Sequence, residues 1–128
     1  MPPKPLATPG PFTHLGRIVV PMDANSLGHL HGGVAMRFMD ETGGIAAIRY
    51  SHGPVVTAHV DAIDFKVPVP VGVLLNASAR VVAVGRTSLG VEVVLESEDP
   101  VTAARTVTTT GHFIFVAVDA EGRPREIA

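Results

Sequence analysis

From residue 55 to 65 apolar and polar positions alternate, with Val56, Ala58, Val60 and Ala62 set between Thr57, His59 and Asp61. A period of two predicts a half-buried strand. Two long runs over 73–84 and 87–97 also read as strands, and Gly85-Arg86 between them suits a hairpin. In the second run Leu89, Val91, Val93 and Leu95 share one face, while Glu92 and Glu96 share the other. Glu98-Asp99-Pro100 turns the chain into a last strand over about 101–118, expected to kink near Gly111. Upstream, a short strand is expected over 12–20, ended by Pro21. An irregular loop over 21–33 then feeds the one helical stretch, about 34–50, closed by Ser51-His52-Gly53-Pro54.

This order, one strand, one helix and four strands, predicts an α+β fold. A helix of about 17 residues is ~25 Å long, enough to lie along a five-stranded sheet. It covers one face, and nothing in the chain covers the other. Long strands with an apolar second face then predict a partner subunit and an obligate oligomer. Residues 1–11 hold five of the 11 prolines plus Gly10 and read as an extended, loosely held arm. Residues 12–128 form one domain, ending in a polar tail over 119–128.

At 128 residues the chain has the length of one domain. Its 46% hydrophobic and 17% charged residues can build a core and are too apolar for disorder. Lys and Arg total 10 against 12 Asp and Glu, so no general basic field favours nucleic acid. With no cysteine there is no disulfide framework, thiolate nucleophile or cysteine-based zinc site, and a cytoplasmic location is expected. No run reaches the ~18 apolar residues of a membrane span. The start, Met1-Pro-Pro-Lys-Pro5, lacks the apolar core of a signal peptide.

Chemistry is concentrated around the helix. Arg37 and Glu41 stand four residues apart, as a solvated pair would. Asp40 shares a different stripe with Met36, Gly43, Gly44 and Ala47, apolar and unusually small. A mid-helix glycine costs about 1 kcal/mol relative to alanine, so the pair implies close packing, by another backbone or by a ligand. A carboxylate on that stripe is poorly solvated. It is either a hydrogen-bond acceptor at a tight helix–sheet contact or a reactive group. Gly32-Gly33 lies where the helix begins, and first-turn N–H groups lack intrahelical partners, as an oxyanion site requires. Asp23-Ala24-Asn25 reads as turn chemistry. His29-x-His31 lacks the spacing of a helical metal pair and an acidic third ligand, so no metal is expected. Gly-x-Ser-x-Gly is absent, which removes a serine-esterase elbow, and no phosphate-loop or dinucleotide fingerprint is present.

In combination these segments are more specific than any one alone. Pro21-Met-Asp-Ala-Asn-Ser-Leu-Gly28, His31-Gly-Gly33 and Phe38-Met-Asp-Glu-Thr-Gly-Gly-Ile-Ala-Ala47 together resemble hotdog-fold acyl-CoA thioesterases, in particular the cytosolic acyl-CoA hydrolase branch. The similarity continues through 55–65, Pro68-Val-Pro-Val-Gly72, Val84-Gly-Arg-Thr-Ser88, 113–119 and Gly122-Arg-Pro124, nearly the whole chain. His-Gly-Gly followed by Asp is shared with the phenylacetyl-CoA branch, which leaves the acyl class open. The hotdog dehydratases fit less well, since His-Phe-Pro-Gly is lacking.

The resemblance implies one long helix wrapped by a curled antiparallel five-stranded sheet. It implies dimers joined edge to edge, assembled further into tetramers or hexamers, with the active site between protomers. By motif position Asp40 is the catalytic carboxylate and Asn25 the second catalytic or water-positioning residue. Gly32 and Gly33 form the oxyanion turn, and Thr57 faces the site from the partner. Asp40 would activate water, or attack the thioester directly to give an anhydride. Coenzyme A enters as part of substrate and product, with no cofactor required. Arg86, with Ser88 in the same turn, is the first candidate for its phosphates, and a solvated hairpin arginine is the competing reading. A non-catalytic acyl-CoA-binding or sensor module is the alternative function. The presence of both Asp40 and Asn25 favours the enzyme.

Overall fold

The computed structural model describes residues 2–127. Met1, within the predicted arm, and Ala128, at the end of the predicted domain, lie outside the described residues. Strands β1 (Lys4–Pro5), β2 (Thr13–Ile18), β3 (Val55–Phe65), β4 (Leu74–Val84), β5 (Ser88–Glu98) and β6 (Arg105–Ala117) surround one helix, α1 (Gly32–Ser51). The sheet is antiparallel throughout, in the order β1-β4-β5-β6-β3, with β2 also pairing with β4. Its five long strands curl around α1 in the hotdog arrangement, and the two-residue β1 adds a sixth.

The helix faces the sheet with Ala35, Phe38, Met39, Thr42, Gly43, Ala46 and Ala47, all buried at helical spacing. They meet an inner face of Leu75, Ala77, Ala79, Val81, Leu89, Val91, Val93, Leu95, Phe113 and Phe115. Gly43 is explained by this contact. A Cβ there would stand 3.2 Å from both Val93 Cγ2 and Phe115 Cε2. The helix starts two residues before the predicted point, since His31 caps it: Gly33 N–H donates to His31 Nδ1 (3.1 Å). At its other end His52 adopts the left-handed conformation (φ 57°). Arg125 from the tail donates to Ser51 O and Val118 O, pinning the helix C-terminus to β6. The arm runs alongside β4 through Leu6 N–H to Val82 O and Gly10 N–H to Val81 O.

Two expectations need correction. The outer face of the sheet is mixed, not continuously apolar: Arg80, Glu92 and His112 stand opposite one another across β4, β5 and β6, with Val94, Ile114 and Val116 on the same face. The incomplete surface is β3, an edge strand bonded only to β6 and exposed along most of its length. Its predicted alternation also fails, because the register shifts at Ala58. An extra residue in one strand reverses the faces beyond it. Thr57 and Val60 therefore lie opposite inner-face Phe115 and Phe113, while Val56 lies opposite Val116. The kink expected near Gly111 is met by a one-residue bulge at Thr108 of β6, and β3 beside it is irregular too, between Asp61 and Asp64, where Ala62 takes φ 52°. A Cβ on Gly111 would stand 2.9 Å from Met39 Cε, so glycine lets β6 pass close beneath the helix.

Candidate active site

The Ala58 bulge turns the Thr57 hydroxyl inward. It donates a 2.6 Å hydrogen bond to Asp40 Oδ1 on the facing side of α1. The contact is made within one chain. The pair heads an open cavity of about 370 Å³ whose remaining lining is Glu41, Gly44, Ile45, Ile48, Val55 and Phe115. Glu41 is drawn aside by Arg37, at 2.9 Å, as expected.

Of the predicted oxyanion elements, Asn25 and Gly32, but not Gly33, line a second cavity of about 280 Å³ at the start of α1, with His29, Ala35, Phe65 and Val69 among its walls. Asn25 shapes the loop: its Oδ1 accepts from Leu27 N–H (3.0 Å) and His29 N–H (3.2 Å), and Gly28 takes φ 79°. That leaves Nδ2 without a partner among the described residues. Gly33 N–H is occupied by His31 Nδ1, whereas Gly32 N–H has no partner among the described residues. Asp23, read from sequence only as part of a turn, anchors the loop's entry. It is buried, accepts from Val20 N–H (3.0 Å) and pairs with Arg17 (2.7 Å). The Val20 hydrogen bond first, then Arg17, holds its carboxyl below the ordinary value of 3.8. Phe65 was also missed. A Cβ on Gly32 would lie 3.7 Å from its ring, so this half-exposed phenyl stands over the helix start.

Gly33 and Asp40 are seven residues apart on one straight helix, about 10 Å along its axis. Reacting groups that share one carbonyl and one water must converge to about 3 Å.

Arg86 lies at a third cavity, about 440 Å³, with Pro2, Lys4, Val84, Gly85 and Thr87. It pairs with Glu126 at 3.3 Å, both side chains well exposed, so the pair holds it weakly. Ser88 does not line this cavity. Its buried Oγ lies under Gly85, 2.7 Å from where a Cβ would stand, and has no hydrogen-bond partner. Among the described residues no three His, Asp or Glu side chains are placed to share a metal. No helix among them is long and apolar enough to cross a membrane.

Residues 27–104 match the thioesterase superfamily. The hexameric thioesterase of Yersinia pestis superposes with a TM-score of 0.86 at 33% identity, over 93% of this chain and 96% of that one. The acyl-CoA hydrolase of Staphylococcus aureus, solved with butyryl coenzyme A and coenzyme A, superposes with a TM-score of 0.86 at 31% identity, over 91% of this chain and 71% of that one. Solved variants of that hydrolase replace one asparagine, one aspartate and one threonine with alanine. Their separations in sequence, 15 and 17 residues, equal those of Asn25, Asp40 and Thr57 here. The rat cytosolic acyl coenzyme A thioester hydrolase is 34% identical over 130 residues, covering 94% of this chain. The chain spans about a third (34%) of that relative's length.

Proposed function

This chain belongs to the thioesterase superfamily, and from that premise we propose that it hydrolyses acyl-CoA thioesters at a site completed by a second copy of itself. The observation that carries the reading is the Asp40–Thr57 pair at the head of an apolar cavity. Thr57 occupies Oδ1 and leaves Oδ2 to take a proton. A water held there attacks the thioester carbon while Asp40 accepts its proton. The carbonyl oxygen, negative in the tetrahedral intermediate, is met by Gly32 N–H and Asn25 Nδ2, both without a partner among the described residues. Collapse expels the coenzyme A thiolate, which takes up the proton held by Asp40, and releases the carboxylic acid. Coenzyme A is thus part of substrate and product, and no cofactor enters these steps.

The roughly 10 Å between Gly33 and Asp40 supports pairing one chain's helix start with the other chain's carboxylate. The unpaired β3 edge offers the seam, and the hexameric Yersinia pestis relative is in keeping with assembly beyond a dimer. Arg86, with Lys4 beside it, is assigned to the coenzyme A phosphates. The cytosolic naming of the rat relative supports a cytoplasmic setting.

The test is free-thiol release from acyl-CoAs of varied length and aromaticity, by the native chain and by Asp40→Asn. Thiol release that the substitution abolishes is the expected result. Acyl-CoA binding without release by the native chain would replace this reading with a non-catalytic binding module.

A further inference from the structure

A cavity of about 420 Å³ opens where the N-terminal arm crosses the C-terminal end of α1, walled by the end of the arm, the last turns of the helix and Val81 of β4. It shares no residue with the Asp40 cavity or with the one at the helix start. Arg49, on its rim, is nine residues beyond Asp40, about 13 Å along the helix axis. In the sheet, β5 and β6 separate β4 from the unpaired β3 edge. This cavity therefore lies apart from both the proposed reaction site and the proposed seam.

Its lining is apolar and aromatic, with one fixed charge. Ala46 and Val81 are buried, and the rings of Phe12 and Tyr50 add two aromatic walls. Gly10 N–H is tied to Val81 O at 2.9 Å, and a Cβ on Gly10 would stand 3.3 Å from Tyr50 Cδ2, so glycine leaves the tyrosine ring its space. Phe12 is 51% exposed and yet held in place: the Arg80 guanidinium stands 4.7 Å from its ring centroid, and the His14 ring stacks on it at 5.6 Å. Arg49 is the one permanent cation among the walls. Its Nη1 donates to the buried Thr13 Oγ1 at 3.2 Å, and among the described residues no carboxylate pairs with it. The rest of its planar fork is left for an incoming anion.

We propose that this cavity binds an aryl monocarboxylate, its ring against Phe12 and Tyr50 and its carboxylate on Arg49. Aromatic rings gain from offset or edge-to-face contact with one another, which an alkyl chain does not supply. One fixed cation in an apolar lining matches one negative charge. Coenzyme A, with its several phosphates, has no counterpart here. Such a site exists whether or not the chain is a hydrolase.

Tyr50 is the only tyrosine and the chain has no tryptophan, so its emission reports on this cavity directly. The experiment titrates the full chain with hydrocinnamate, a phenyl ring on a short chain ending in a carboxylate, and follows that emission. A saturable change is expected in the native chain. Arg49→Gln should raise Kd by about tenfold or more, the scale of a charge-assisted hydrogen bond. Phe12→Ala, at an exposed position, should also weaken binding, so a folded variant reports even if Arg49→Gln loosens the arm. Octanoate should bind more weakly than hydrocinnamate, and hydrocinnamyl alcohol, which lacks the charge, should bind the native chain and Arg49→Gln alike. Saturating coenzyme A should leave the affinity for hydrocinnamate unchanged. No saturable change in the native chain, or equal affinity in the native chain and both variants, would overturn the site. Octanoate binding as tightly as hydrocinnamate would overturn the aromatic class. Displacement of hydrocinnamate by coenzyme A would place it in the reaction site and overturn the proposal.

Discussion

Thr57 on β3 and Asp40 on α1 are joined by a 2.6 Å hydrogen bond, and the bulge at Ala58 orients the threonine for it. If Asp40 is the base, its negative charge is needed and its shape is not. Asp40→Asn should fold with an unchanged melting temperature and lose about 10²–10⁴ in kcat, the usual contribution of a positioned base. Thr57→Val keeps the volume and removes the donor, so it should lower kcat more than it raises KM. Near-native thiol release by Asp40→Asn would remove the carboxylate from the mechanism.

Asn25 serves the loop and the proposed site through different atoms. Its Oδ1 holds Leu27 and His29 N–H, and its Nδ2 has no partner among the described residues. Asn25→Ala therefore confounds stability with activity. Asn25→Asp keeps the loop acceptor and removes the donor. Its melting temperature should stay close to native while kcat falls by about 10²–10³, the cost of one lost oxyanion donor. Full activity in Asn25→Asp would confine the residue to shaping the loop.

The two helix glycines should respond oppositely to a methyl group. Gly43→Ala drives its Cβ against Val93 and Phe115, both fixed in the core, and overpacking of that kind costs about 1–3 kcal/mol. Better helix propensity returns at most about 1 kcal/mol. Calorimetry should thus show Gly43→Ala melting several degrees below the native chain. Gly44→Ala, whose Cβ would meet Phe115 Cε1 at an ordinary 3.7 Å, should melt at or above it. Equal melting temperatures for the two variants would contradict the packing described.

Much of this arrangement was legible in the order of residues, for identifiable reasons. The strands from 73 onward announced themselves because their inner faces are continuously apolar, and α1 because a glycine-containing loop feeds it and Ser51-His52-Gly53-Pro54 closes it. Asp40 stood out as a carboxylate among small apolar neighbours. The side-chain orientation of β3 was not legible. A one-residue bulge at Ala58 reverses the pattern, and no local residue announces it. Nor could sequence separate Gly43 from Gly44, since Val93 and Phe115 are more than 40 residues away. Asp23 was undervalued because its partner Arg17 lies across a one-turn 3₁₀ helix, at no periodic spacing.

Among the described residues Arg86 is held only by an exposed pair with Glu126, which leaves it available to an incoming phosphate. Phosphate contacts are made equally in ground and transition states. Arg86→Ala should therefore raise KM for acyl-CoA several-fold with little change in kcat, and the effect should shrink at high salt. Glu126→Ala, which frees the arginine, should lower KM. An unchanged KM in Arg86→Ala would place the nucleotide elsewhere.

Asp23 makes acid stability a readable property of the loop that carries Asn25. The carboxylate accepts from Val20 N–H and from Arg17, and these bonds hold its folded pKa below the ordinary 3.8. A carboxyl lowered on folding stabilises the native state above its unfolded pKa, and that stabilisation fades as pH falls through the folded value. Asp23→Asn keeps the shape and removes the charge, so at pH 7 it should be less stable by about 1.5–3 kcal/mol, the range for hydrogen bonds to a charged group. Acidification should leave the variant's own loop contacts unaffected while the native chain loses its advantage. Asp99, also lowered by the N–H groups of Thr102 and Val101, is present in both chains and cancels in the difference. Denaturant melts of the two chains should therefore converge as the pH falls below the ordinary 3.8. A gap that stayed constant there would show that Asp23 acts by shape alone, and that its charge plays no part in holding the Asn25 loop.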